Sequence, residues 1–311
     1  MLYDTGLYLL PDEEVGFFIS HSGGSYLVNL EVFQGFMDRY FPGEEAPAPG
    51  APADMAERSQ EFVGEYHQNR RALTNVDKFQ SLFMGVIHVS VDEEGYLLVT
   101  HLEETNRFVE VEQGVYHNLR EGRAQDYGGD FRTIVFSKDP MGKIMLISDG
   151  PMSYSRAEWY ETFGITFIML FGSILIMIGS LLYWGIKAGV LKLRRKLAQS
   201  KEHAKDAKWA KRLAVIQGLC AVAFVVGFIT ESDIDPVYGL PVAAFTQPST
   251  WAKFYDLALS YVMVALAVAI VIFAVLAWKK SYWKLAGRLH YTLFAFAGIV
   301  LTWIFYFWQV I

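Results

Sequence analysis

The sequence predicts an α+β membrane protein, and three observations lead there. Four long apolar runs, at 162–184, 213–230, 256–278 and 289–309, fill the C-terminal half, and residues 1–160 hold none. The N-terminal half instead alternates short apolar stretches with Gly, Pro and Asp turn signals. Formal charge divides at the same place: residues 1–161 carry 12 Lys/Arg against 27 Asp/Glu, and residues 162–311 carry 15 against 6.

Residues 6–20, GLYLLPDEEVGFFIS, read as two strands around a Pro-Asp-Glu-Glu turn. Their continuous apolar runs suit strands covered on both faces. Residues 27–41 follow with Leu27, Leu30, Val32, Phe33, Phe36, Met37, Tyr40 and Phe41 at helical spacing. Strand, turn, strand and helix in 1–42 form the closing stretch of an α/β or α+β domain, too short to bury a core alone. Residues 43–57 are a Pro/Ala-rich linker, stiffened by Pro47, Pro49 and Pro52.

Residues 58–156 read as a small antiparallel β-barrel or sandwich. Candidate strands fall at 62–67, 83–91, 95–101, 107–112, 114–119, 131–137, 143–148 and 151–155, punctuated by glycines. Alternation is visible in Val86-Ile87-His88-Val89-Ser90-Val91 and in Phe108-Val109-Glu110-Val111-Glu112. Residues 157–311 form a four-helix membrane anchor, since each run reaches across a hydrocarbon core of about 30 Å at 1.5 Å per residue.

Basic residues cluster in two connecting segments, 185–212 and 279–288, whereas 231–255 carries Glu231, Asp233 and Asp235 with only Lys253. Basic loops stay in the cytoplasm. The expected topology therefore places both basic segments inside, and the N-terminal half, the 231–255 loop and the C-terminus outside. The helical, basic stretch 191–212 either lies on anionic inner-leaflet lipids or simply enforces that topology. An acidic outer half excludes nucleic acid as a partner. An exported domain needs a signal, and MLYDTGLYLLPDEEVGFF has none, so Met1 is expected to follow a longer exported segment.

LYLLPDEEVGFFIS at 7–20 and FMDRYFP at 36–42 resemble the end of the catalytic domain in serine beta-lactamase/penicillin-binding-protein-like hydrolases. EFVGEYHQNRR at 61–71, FVEVEQGVYHNL at 108–119 and AEWYE at 157–161 resemble the β-rich extension of the membrane-anchored bacterial members, which a multi-span tail follows. The resemblance covers essentially the whole chain. It implies a parent hydrolase acting on cell-wall peptides or a related amide or ester. That family uses Ser-x-x-Lys, Tyr-x-Asn and a His-x-Gly-type triad, in which a serine attacks the acyl carbon. All three would precede Met1, so no catalytic, cofactor or metal residue is assigned here and the chain alone is expected to be inactive.

Partial matches occur in the reverse order. His21-Ser22-Gly23 fits His-x-Gly, Tyr116-His117-Asn118 fits Tyr-x-Asn, and Ser281-Tyr282-Trp283-Lys284 fits Ser-x-x-Lys. They read as coincidences. His67, His88 and His101 read as ordinary strand-face histidines rather than metal ligands. Asp92-Glu93-Glu94 and Glu103-Glu104 read as solvated turn charges. Trp159, Tyr160, Trp303, Tyr306 and Trp308 read as interfacial aromatic anchors, and His290 as an interfacial group. The rival to a hydrolase fragment is an extracytoplasmic binding or sensory module. It predicts a concave apolar pocket in the β-domain, with residues 1–42 packed on it. No intramembrane charge favours a transporter.

Overall fold

The computed structural model describes residues 3–23, 27–42, 50, 52, 54–75, 77–83, 85–101, 104–120, 131–150, 152–193, 204–230 and 258–311. Most of the 43–57 linker and of the 231–255 loop therefore lies outside the described residues. Two compact units result: Met1–Arg71 with Ser81–Glu158, and Ala72–Gln80 with Trp159–Ile311.

The first unit opens with β1 (Tyr3–Leu10) and β2 (Val15–Ser22), an antiparallel pair, followed by helix α1 (Leu27–Tyr40). Pro11 starts a 3-10 turn, Pro11–Glu13, for which its fixed φ is suited. Glu14 then takes a left-handed φ of 55° and returns its N–H to Pro11 O at 3.2 Å.

Eight further strands close into an antiparallel barrel: β3 (Gly64–Gln68), β4 (Ile87–Val91), β5 (Leu97–His101), β6 (Glu104–Glu112), β7 (Val115–Asn118), β8 (Thr133–Lys138), β9 (Ile144–Ser148) and β10 (Ser153–Arg156). Each pairs with its neighbour in sequence, and β10 returns to β3 with Tyr154 opposite Gln68 and Arg156 opposite Tyr66. A barrel, not a sandwich, is thus the outcome. Two-residue alternation turns Ile87, Val89, Leu97, Val99, Phe108, Ile134, Phe136 and Leu146 inward, where all are buried. Tyr66, Tyr116, Tyr154 and Phe131 fill the rest of the interior.

Turn chemistry sets the register. Asp92 Oδ1 accepts the N–H groups of Glu94 and Tyr96, and Gly95 supplies φ +90°. Asp139 Oδ1 does the same for Met141 and Lys143, with Gly142 at φ +81°. Asp92 is therefore a turn-former as well as a charge, and Arg107 Nη2 pairs with it at 2.7 Å.

Helix α2 (Met55–Ser59) plugs one end of the barrel. Met55 enters the core, and Ser59 Oγ lies 3.0 Å from Tyr116 Oη. Glu110 shares the inward side of β6 with Phe108 and is 3 % exposed. A carboxylate there is costly unless fully hydrogen-bonded. Arg58 supplies Nε at 3.0 Å and Nη2 to Oε2, while Gly114 N–H reaches Oε1 at 3.0 Å. Hydrogen bonding to Glu110 raises the Arg58 guanidinium further above its already high range.

The second unit is a bundle of α4 (Phe163–Leu193), α5 (Ala204–Thr230), α6 (Ser260–Lys279) and α7 (Leu285–Phe307), joined by the short helix α3 (Asp77–Gln80). Within it, Phe163–Val190, Lys205–Gly227, Ser260–Lys279 and Leu285–Phe307 are long and apolar enough to cross a membrane. The helices form a ring in which α4 meets α5, α5 meets α6, α6 meets α7 and α7 meets α4. Small residues bring the backbones close. A Cβ on Gly218 would lie 2.7 Å from Leu181 Cγ, and one on Gly298 would lie 3.4 Å from Ala267 Cβ. Ile168, Phe171, Leu175, Leu182 and Ile186 form the exposed stripe of α4, as lipid-facing positions should.

The two ends of the bundle differ. At one, Lys280 Nζ donates to Asp206 Oδ2 at 2.9 Å and Tyr282 Oη donates to the same atom at 3.2 Å. At the other, Trp303 and Phe307 stack with Tyr160 edge-on to both, and Lys78 Nζ donates to Phe307 O at 2.6 Å, a cation at a helix C-terminus. Trp308 departs from its reading as an interfacial anchor. It is 0 % exposed, with its ring 6.3 Å from that of Phe79.

Leu146→Ala should destabilise the barrel by about 2–5 kcal/mol, whereas Met141→Ala, at an exposed turn, should stay within about 0.5 kcal/mol. Urea unfolding followed by tyrosine fluorescence checks both. Burial raises the pKa of Tyr66 and Tyr116, with the Ser59 hydrogen bond pulling Tyr116 part of the way back. Their stabilising contribution is complete below their unfolded value of about 10 and is lost as pH rises toward the folded values. The barrel's melting temperature should therefore fall between about pH 9.5 and 11, and less steeply in Tyr66→Phe.

Candidate functional site

The β1–β2 hairpin with α1 is the part of the first unit that leaves large apolar side chains in water. Alternation gives the hairpin two faces. One holds Tyr8, Phe17 and Ile19 and meets α1, where Phe33 stacks on Tyr8 with ring centroids 3.9 Å apart. Phe36 closes the same layer at 4.9 Å from Phe17. The other face holds Tyr3, Leu7, Leu9 and Phe18, which are 72, 64, 67 and 66 % exposed. Leu7 sits directly opposite Phe18 with Leu9 on the same face, while the Thr5–Ser20 hydroxyl pair, 3.1 Å apart, sets Tyr3 apart from them. Among the described residues the sheet has two strands, so the outer edge of each is unpaired.

Four large apolar side chains left in water forgo about 1.5–3 kcal/mol each relative to burial. Two strands with one covering helix are marginal by themselves. Exposed apolar patches of this kind are a mark of interaction surfaces.

The three partial motifs each have local structural duties. His21, near the end of β2, bonds through Nδ1 to Gly23 O at 2.8 Å. Tyr116 is a core residue of β7, and Asn118 Nδ2 donates to Phe131 O at 3.1 Å. Ser281 sits in the α6–α7 turn with φ 49°, and its Oγ accepts from Arg288 Nη1 at 3.4 Å. Hairpin, barrel and helix turn each take one of them, and none of these bonds links one motif to another.

The three barrel histidines also separate. Glu65 and His67 lie on the outward side of β3 yet are buried, with His67 Nε2 2.7 Å from Glu65 Oε1. His88, paired with Glu65 across β3 and β4, has Nδ1 3.9 Å from Oε2. His101 continues the inward series Leu97 and Val99, with its ring 5.3 Å from that of Phe131. Among the described residues no cluster of His, Cys, Asp or Glu is placed to hold a metal ion. Glu65 is thus bonded within its own strand to His67, with His88 of β4 near it but beyond hydrogen-bond reach. Sequence reading missed this group because its members lie on a face that alternation assigns to solvent.

A serine–histidine contact also went unforeseen, 110 residues apart in sequence. Ser180 Oγ in α4 lies 2.8 Å from His290 Nε2 in α7 and 2.7 Å from Ile176 O. The serine has one proton. Given to the Ile176 carbonyl, it leaves Nε2–H of His290 to donate to Oγ. Nucleophile activation needs the opposite direction, with serine donating to histidine. The pair is a helix-to-helix clamp, flanked by the rings of Tyr183 and Trp184 at 5.2 and 5.4 Å from the imidazole.

Comparison with known proteins finds no matching family model, no matching curated protein and no matching solved structure.

A double-mutant cycle on Ser180→Ala and His290→Ala should give a coupling of about 0.6 kcal/mol, the usual size of an interhelical hydrogen bond in a bilayer. Unfolding in mixed micelles, read by tryptophan fluorescence, measures it.

Proposed function

We propose that this chain is the C-terminal portion of a membrane-anchored serine hydrolase related to beta-lactamases and penicillin-binding proteins. The whole protein would cleave a cell-wall peptide, or a related amide or ester, outside the cytoplasmic membrane. The observation that carries the reading is the open face of the β1–β2 hairpin. With α1 on one side and Tyr3, Leu7, Leu9 and Phe18 bare on the other, it has the form of two strands taken from a sheet covered on both faces. Such sheets belong to layered α/β domains, and the resemblance at 7–20 and 36–42 names one.

In this reading the barrel is an extension between hydrolase and membrane, and the four helices are the anchor. The basic end of the bundle, around Lys208, Lys211, Arg212, Lys279, Lys280 and Arg288, faces the cytoplasm, in contact with anionic inner-leaflet lipids along 191–212. The barrel and both termini are then outside. The catalytic set of Ser-x-x-Lys, Tyr-x-Asn and His-x-Gly is supplied by residues preceding Met1. The rival binding module asked for a concave apolar pocket, and the barrel interior is instead filled by Tyr66, Phe108, Tyr116, Phe136 and Tyr154.

The test is to sequence upstream of the Met1 codon in all frames, then express the lengthened chain. The expected result is the three motifs in family order just before residue 1. A fluorophosphonate serine probe should label the lengthened chain and leave residues 1–311 unlabelled. Upstream DNA that encodes nothing of the kind refutes the proposal.

A further inference from the structure

Helix α5 has one side that changes character along its length. Lys208, Lys211, Arg212, Val215 and Ile216 recur at helical spacing, and Leu219, Val222 and Val226 continue the same stripe. The three cations are exposed, and Ile216, Leu219 and Val226 are 45, 57 and 52 % exposed. The opposite side, Ala210, Ala214, Gln217 and Ala221, is buried in the bundle. The cationic stretch therefore leads straight into the lipid-facing stretch, with about 12 Å of rise from Lys208 to Ile216.

At the junction lies a cleft of about 450 Å³ lined by Lys208, Trp209, Lys211, Arg212, Val215 and Ile216. Two of its three cations lie over aromatic faces. The Arg212 guanidinium lies 5.1 Å from the Trp209 ring centre, and Lys211 Nζ lies 6.0 Å from that of Trp184 in α4. Asp206 is the one acid in α5, and it is turned away and bound by Lys280 and Tyr282. Nothing acidic on the helix thus competes for the three cations.

We propose that this cleft binds the headgroup of an anionic phospholipid, with one acyl chain running along Val215, Ile216 and Leu219. The charge arrangement favours phosphate over a zwitterionic headgroup, because a choline would meet three like charges. The apolar continuation favours a lipid over soluble phosphate. The inference narrows the lipid contact proposed along 191–212 to one site. It needs only the membrane spans, and it stands or falls independently of the hydrolase reading.

The test reconstitutes the full chain in vesicles holding equal mole fractions of either dibrominated phosphatidylglycerol or dibrominated phosphatidylcholine. Quenching of Trp209 is read as the difference between the chain and Trp209→Phe. The expected result is local enrichment of the brominated anionic lipid at Trp209 on the order of tenfold. That preference should vanish in the K208Q/K211Q/R212Q variant and weaken in Lys208→Gln alone. Equal quenching by the two lipids in the unsubstituted chain overturns the proposal whatever the variants do. Loss of the preference on adding about 10 mM inorganic phosphate at constant ionic strength also overturns it, assigning the cleft to a soluble anion.

Discussion

Backbone polar groups withdrawn from water have to be paired, and that constraint organises this molecule. Two solutions are complete in themselves. An α-helix satisfies its backbone within one segment, and a closed barrel satisfies it between neighbouring strands. The four long helices use the first and strands β3 to β10 use the second, with the β10–β3 pairing removing the last edge. The β1–β2 hairpin uses neither. It is the one sheet with open edges among the described residues, and it is also where large apolar side chains stand in water. Further strands and a second covering layer would answer both defects at once.

The same rule explains what surrounds the few buried charges. Glu110 on the barrel's inward side is tolerated because three donors from α2 and the β6–β7 turn converge on it. This locks the plug helix to one register, since no neighbouring position of α2 offers a guanidinium. Glu65 is handled differently, with His67 beside it on the strand and His88 across from it. The Glu110 group ties α2 to β6, whereas the Glu65–His67 bond stays within β3. Neither presents a nucleophile with its proton directed to a base, and Ser180, which also lies 2.7 Å from Ile176 O, links α4 to His290 of α7.

Much of this was legible in the residues, and what was not has physical causes. Continuous apolar runs disclose membrane spans, because lipid demands them of every face. They do not disclose where helices end: α5 already begins at Ala204, where lysine and arginine side chains snorkel from a helix whose backbone is indifferent to them. Eight barrel strands could be placed from their glycine and aspartate turns. Closure could not, because it rests on Tyr154 and Arg156 finding Gln68 and Tyr66 nearly 90 residues away. Trp308 was misread for a related reason: composition near a span end suggests the interface, while the partner that buries it, Phe79, comes from a distant segment. Arg58 with Glu110 and Ser180 with His290 were invisible on the same ground.

The open hairpin face and the basic cleft are the same kind of problem posed in two solvents. On the hairpin, apolar surface faces water and, among the described residues, both strand edges are unpaired, so a partner that covered it would bring strands and apolar side chains together. A folded protein layer does that and a small ligand does not. On α5, three cations sit directly above side chains suited to hydrocarbon, so the partner has to be anionic at one end and apolar at the other, with about a nanometre between. A soluble protein surface rarely offers that gradient, whereas a phospholipid always does. Each surface thus specifies its partner by the solvent it is built to leave, and the two partners belong to different classes of molecule.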